Sequence, residues 1–118
     1  METNELLETI CKVLDSKQAK NIKIVNLEGI SVIADYFVIC TGRSTTNVKA
    51  LMENLEDEMS KKYGVNVLRL EGKQEGKWCV LDYGDIIVHI FYEETRQIYS
   101  IDELWDNGQN VTDYKGKE

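Results

Sequence analysis

Hydrophobic positions along the 118 residues change their spacing several times, and each change marks an element. Between Glu5 and Leu14, the apolar residues Leu6, Leu7, Ile10, Val13 and Leu14 recur at helical steps, which predicts a first helix with Thr3 placed to cap it. Ile22 to Leu27 alternates instead, with Ile22, Ile24 and Asn26 set against Lys23, Val25 and Leu27, and Glu28-Gly29 closes the run: a strand and a turn. Asp35 to Thr41, DYFVICT, is almost continuously apolar and suits a strand covered on both faces, stopped by Gly42. From Ser44 the helical period returns through Val48, Leu51, Met52, Leu55 and Met59, with Ser44 or Thr45 as cap and an end near Tyr63-Gly64. Val65 to Leu70, Trp78 to Asp82 and Asp85 to Phe91 read as three more strands, joined by the Gly72 to Gly76 loop and a Tyr83-Gly84 turn. Glu93 to Tyr99 suits a last helix, with Ile101, Leu104 and Trp105 packing back on the body. The ending DNGQNVTDYKGKE loses periodicity and reads as a loose tail. The order α-β-β-α-β-β-β-α predicts a single α/β (α+β) domain with a mixed sheet of about five strands flanked by helices.

Composition adds partners rather than shape. Asp and Glu number 21 against 14 Lys and Arg, a net charge of −7, so phosphate backbones repel the chain and a macromolecular partner should be basic. The basic stretches, Lys61-Lys62 and Lys73 to Lys77, are short and lack interleaved aromatics, so no direct nucleic-acid recognition is expected. No apolar run approaches the ~20 residues that span a bilayer, and METNELLETICK resembles neither a secretory signal nor a transit peptide. The expectation is a soluble cytoplasmic protein. Cys11, Cys40 and Cys79 show no C-x-x-C spacing and read as small buried hydrophobes.

The richest stretch is WCVLDYGDIIVHIF, Trp78 to Phe91. With Tyr83-Gly84 as a two-residue loop, Asp82 would face Asp85, Val80 would face Ile87 and Trp78 would face His89 on one surface, leaving Cys79, Leu81, Ile86 and Val88 on the other. Along the strand, Asp85 and His89 would stand about 13 Å apart at ~3.3 Å per residue, too far to share a metal, and the chain holds no second histidine. No metal site and no cofactor are expected. Two facing carboxylates suit acid-base chemistry, but turns favour Asp beside Gly, and a cationic partner would equally relieve the like charges. Both hairpin faces are apolar, so either helices cover both or one face receives a partner. Thr41-Gly42-Arg43-Ser44 lies where backbone N–H groups can hold an anion, yet it lacks the P-loop lysine. A nucleotidyltransferase would also carry a pair of metal-binding carboxylates on the strand after the central helix, and VNVLRLEG carries none.

ADYFVICTGRS at Ala34 to Ser44, EGKQEGKWCVLDYGDIIVHIF at Glu71 to Phe91, and the ending from Arg96 through Tyr99 to Leu104-Trp105 together resemble the ribosomal silencing factor family, RsfS, also called the Iojap or YbeB family. The resemblance covers residues 1–106 and leaves 107–118 as a flexible tail. It implies a nucleotidyltransferase-like fold without catalytic carboxylates, and a homodimeric, non-enzymatic factor. Such a factor binds the large ribosomal subunit through large-subunit ribosomal protein fourteen and sterically blocks joining of the small subunit, repressing translation. Carried onto this sequence, the resemblance makes Trp78, Asp82, Tyr83, Asp85 and His89 the partner-binding residues, with Glu71 as a rim acid. Asp35, Gly42, Arg43, Ser44 and Gly84 match family motifs and are expected to shape turns and caps. The competing expectation is a hydrolytic or nucleotidyltransferase-like enzyme using Asp82, Asp85 and His89.

Overall fold

A computed structural model describes residues 1–116. Helix α1 spans Thr3–Ser16 and buries Leu6, Ile10, Cys11, Val13 and Leu14 along one stripe. Its N-cap is Glu2, without a side-chain capping bond. Thr3, expected as the cap, lies inside the first turn, where its Oγ1 donates to Asp85 Oδ2 at 3.0 Å. Strands β1 (Lys20–Asn26) and β2 (Tyr36–Gly42) pair antiparallel, with a bulge between Lys20 and Lys23.

Helix α2, Thr45–Tyr63, follows the apolar period and buries Val48, Leu51, Met52, Leu55 and Met59. Ser44 Oγ accepts from the Asn47 N–H at 3.0 Å, satisfying one of the orphan donors of the first turn. At the other end Gly64 takes φ +68°, and the Val65 N–H reaches back to the Met59 carbonyl, a Schellman-type stop that a residue with a Cβ adopts poorly.

Strand β3 is shorter than the Val65 to Leu70 run suggested, only Arg69–Glu71. The reason lies in its partner. Arg69 pairs with Asp82, the last residue of β4 (Trp78–Asp82), so residues before Arg69 have no strand beside them; Val65 and Val67 pack against the core instead. Strand β5 is Ile86–Tyr92, followed by α3 (Glu93–Tyr99) and the single turn α4 (Ile101–Leu104), with Ser100 at φ +43° between them. Ile101 is buried and Trp105 packs inward as expected, whereas Leu104 is exposed.

The segment expected as a loose tail is largely built into the fold. Val111–Asp113 forms β6, pairing antiparallel with β1 from Lys23↔Asp113 to Val25↔Val111. The polar run before it is a hydrogen-bonded turn: Asp106 and Asn107 side chains accept from backbone N–H groups, and Asn110 Nδ2 donates to the Asn26 and Trp105 carbonyls at 3.0 and 2.9 Å. Residues 117–118 of the expected tail lie outside the described residues.

Among the described residues the sheet therefore has six strands, in the order β3-β4-β5-β2-β1-β6. Only β2 and β5 run parallel; the other neighbours are antiparallel. Helices α1 and α2 cover one face, sealing Ile22, Val38, Cys40, Leu81, Val88 and Ile90 beneath them. The opposite face carries a smaller cluster built on Val25, Phe37, Ile39, Phe91 and Ile101, and its cover comes from α3, α4 and Trp105.

Candidate partner-binding face

Alternation along β4 and β5 decides which side chains share that second face. Trp78 pairs with Phe91, Val80 with His89 and Asp82 with Ile87, so these six stand together, joined by Glu71 opposite Val80 and Arg69 opposite Asp82 on β3. The expected pairing was two residues out. Tyr83 N–H donates to the Ile86 carbonyl at 2.9 Å, which puts Gly84-Asp85, not Tyr83-Gly84, in the loop. Gly84 has φ +91°, as the first loop position of a type II′ hairpin requires. A slip of two preserves the faces and exchanges the partners. Trp78 and His89 thus remain on one surface, as diagonal neighbours, while Asp82 and Asp85 do not face each other.

Those two carboxylates have separate occupations. Asp82 Oδ1 accepts from the Gly84 N–H at 2.8 Å and tightens the turn. Asp85 Oδ2 accepts from Thr3, and its carbonyl takes the Asp35 and Tyr36 N–H groups at 2.8 and 3.1 Å. The hairpin tip is therefore stitched to both α1 and β2.

His89, expected on the contact surface, is only 8% exposed. Its Nδ1 accepts from Trp78 Nε1 at 3.1 Å, which leaves the proton of the neutral ring on Nε2. Nε2 is buried with no hydrogen-bond partner, and the ring packs edge-on against Phe37 with centroids 4.6 Å apart. Desolvation lowers its pKa to about 4, so the imidazole is neutral near pH 7. It acts as a brace. Trp78 itself is half-buried, stacked on Phe91 at 4.8 Å and flanked by the exposed Tyr99 at 4.8 Å, so its ring is held in one orientation.

Tyr83 also departs from expectation. It is 8% exposed and belongs to the cluster under α1 and α2, with burial and then the nearby Glu56 pushing its phenol pKa up. Tyr83 and His89 are thus packed into the body rather than presented on its surface. Glu71 and Asp85 are exposed, and Trp78 and Asp82 partly so.

The motif residues at the far end of β2 shape the backbone. A Cβ on Gly42 would stand 2.7 Å from Val48 Cγ2 and 3.0 Å from the Val48 nitrogen, so β2 passes into α2 only because nothing is there. Arg43 donates its backbone N–H to Asn47 Oδ1 at 3.0 Å, and its guanidinium makes no ion pair among the described residues. Arg96, in the motif that closes the chain's resemblance, is a clamp. Its Nη1 donates to the Asn21 carbonyl at 2.8 Å and to Thr41 Oγ1 at 2.7 Å, and Nη2 lies 3.5 Å from Asp102 Oδ2. These bonds fasten α3 and α4 to the sheet. Beside Trp78, an open groove of about 690 Å³ runs between the β3–β4 loop and α3, lined by Tyr92, Ile98 and Tyr99 with Glu75, Glu94 and Lys77 at its margins.

Among the described residues no three His, Cys, Asp or Glu side chains converge as metal ligands do. All three cysteines are buried, and desolvation pushes the Cys11 and Cys40 thiols up to about 12, so they remain protonated and unreactive.

The model of the family described as ribosomal silencing factor during starvation matches residues 1–118. The chain belongs to the ribosomal silencing factor family. A ribosomal silencing factor of Halalkalibacterium halodurans is 35% identical over 111 residues, covering 94% of each chain. A mouse relative, named mitochondrial assembly of ribosomal large subunit protein 1, is 28% identical over 84% of this chain and 44% of its own. A crystal structure of a Chromobacterium violaceum protein superposes with a TM-score of 0.85 at 28% identity, covering 98% of this chain and 95% of that one. No helix among the described residues is long and apolar enough to cross a membrane.

Proposed function

We propose that this ribosomal silencing factor relative is a non-enzymatic, cytoplasmic repressor of translation that acts by occupying a surface. It docks on the large ribosomal subunit through large-subunit ribosomal protein fourteen and sterically prevents the small subunit from joining, as a starved cell would require. Family membership supplies the ribosome, and the mouse relative's name points to the large subunit. The observation that carries the docking is the uncovered strip on the second face: the Trp78 edge, Val80 and Ile87, half-exposed, with Glu71 and Asp82 beside them, Arg69 opposite Asp82, and Asp85 at the hairpin tip. An apolar centre with Glu71, Asp82 and Asp85 outnumbering Arg69 along its border, on a chain of net charge −7, suits a basic protein partner, the apolar part supplying affinity and the acids steering the encounter. Trp78 is its anchor, braced in advance by His89, so little ordering entropy is lost on binding. The factor needs no cofactor, makes no sequence-specific contact with nucleic acid, and self-associates as a homodimer.

The enzymatic alternative needs Asp82, Asp85 and His89 to converge, and their present bonds point them to three different neighbours. The test is light scattering of purified large and small subunits at associating magnesium, with and without the protein, followed by a density gradient. Loss of the joined particle, with the protein migrating beside the large subunit, is expected. Undisturbed joining with the protein left at the top of the gradient would refute the proposal.

A further inference from the structure

The loop from Leu27 to Asp35, between β1 and β2, presents three β-branched aliphatic residues to water. Ile30 is exposed, Ile33 is 66% exposed and Val32 is fully so at 105%. The loop is nevertheless ordered by its own bonds. Ile30 and Ser31 N–H groups both donate to the Leu27 carbonyl at 2.9 and 3.0 Å, Ile33 N–H donates to Ser31 Oγ at 3.1 Å, and Tyr36 Oη donates to Glu28 Oε1 at 3.1 Å. An exposed apolar tip on a braced loop marks an interaction site rather than scatter.

Its position joins it to the docking strip. Both roots, Leu27 and Ala34, are buried in the second-face cluster against which Ile87 and Trp78 also pack. Asp35 and Tyr36 N–H groups bond the Asp85 carbonyl, so the exit of the loop is tied to the hairpin tip. Trp78 to Asp82 spans about 13 Å along β4 at ~3.3 Å per residue, and a standard interface patch of ~800 Å² is roughly 30 Å across, so a partner seated on Trp78 extends past the hairpin tip to which the loop is bonded.

Charge selects the occupant. Residues 24–42 and 78–95 contain no Lys or Arg; Glu28 and Asp35 belong to the loop and Asp85 is bonded to its exit, so acids prevail at this end of the face, and the cation Arg69 stands across from Asp82 on β3. A second copy packed by two-fold symmetry would set these acids against themselves, and phosphate or an anionic bilayer would be repelled. A basic protein is not. We infer that Val32 and Ile33 enter an apolar depression on the same basic protein that receives Trp78, making this loop a second anchor of the docking face. This rests on the docking reading above.

The test compares the parent, Trp78→Ala and the double variant Val32→Ser with Ile33→Ser for equilibrium binding to purified large ribosomal subunits. The double variant keeps the net charge, so only apolar contact is lost. Its affinity should fall at least about tenfold, with an unchanged thermal midpoint, while Val32→Leu with Ile33→Leu retains parent affinity. Parent-like binding by the serine variant, with Trp78→Ala weakened, overturns the inference and leaves the docking face standing. A serine variant that loses self-association in sedimentation, yet binds subunits normally, overturns it in favour of a second copy. A parent chain that does not bind the subunit refutes the docking reading itself.

Discussion

The two faces of the sheet are built to different standards. The first lies under α1 and the 19-residue α2, whose apolar stripes seal every strand they cross. The second has the seven-residue α3, which buries none of its own residues, and the single turn of α4. That thin cover is held down by Arg96, Trp105 and the Trp78–Tyr99 contact, and it stops short of the outer strands. The difference suits the proposed division of tasks, in which the first face supplies most of the stability and the second leaves part of its apolar surface open to a partner.

The largest expected effect tests the first face. Leu55→Ala removes a side chain with no solvent exposure and should destabilise the fold by about 3 kcal/mol or more, read by denaturant unfolding. If the faces do divide the labour, the folded fraction of that variant should still bind large subunits with parent affinity.

His89 gives the next effect, and its sign follows from linkage. Its folded pKa, about 4, lies below the ordinary 6.5, so between those values the unfolded chain binds more protons and stability falls as pH falls. Over that window roughly 3 kcal/mol should be lost to this group. Near pH 7 its Nδ1 accepts the Trp78 bond, and protonation would remove the acceptor. Unfolding curves between pH 7 and pH 4 should show this component in the parent and not in His89→Phe.

Trp78→Ala is the sharpest probe of the second face and should weaken large-subunit binding by about 2 kcal/mol or more. The fold should persist, since the ring is only partly buried and the first-face core is untouched. Trp78→Phe, which keeps the stack on Phe91 and loses the His89 bond, should fall between the parent and Ala.

Much of this was legible in the sequence because it depends on local periodicity. The three- and four-residue steps from Val48 to Met59, with Ser44 before them and Gly64 after, define α2 without any tertiary information. The faces of β4 and β5 were likewise legible from parity, which survives a two-residue slip in register. What parity does not reveal is cover. Tyr83 and His89 look accessible as hairpin residues, and only the packed neighbours, the first-face cluster for one and Phe37 with Trp78 for the other, put them out of reach. Strand β6 was illegible for another reason. Three residues with one apolar side chain carry no period, and they become a strand because the Asn110 side chain fixes the turn beside β1. The tip of the β1–β2 loop is not legible in the sequence because ISVI reads as ordinary apolar sequence until its exposure is known.

The most direct test of the division between faces is site-specific photo-crosslinking on purified large subunits. A photoreactive residue would stand in turn at Val80, on the open strip, and at Lys61, on the outer surface of α2. The account predicts a crosslink from position 80 to a basic large-subunit protein and none from position 61. Equal crosslinking from both positions, or crosslinking from 61 alone, would contradict it.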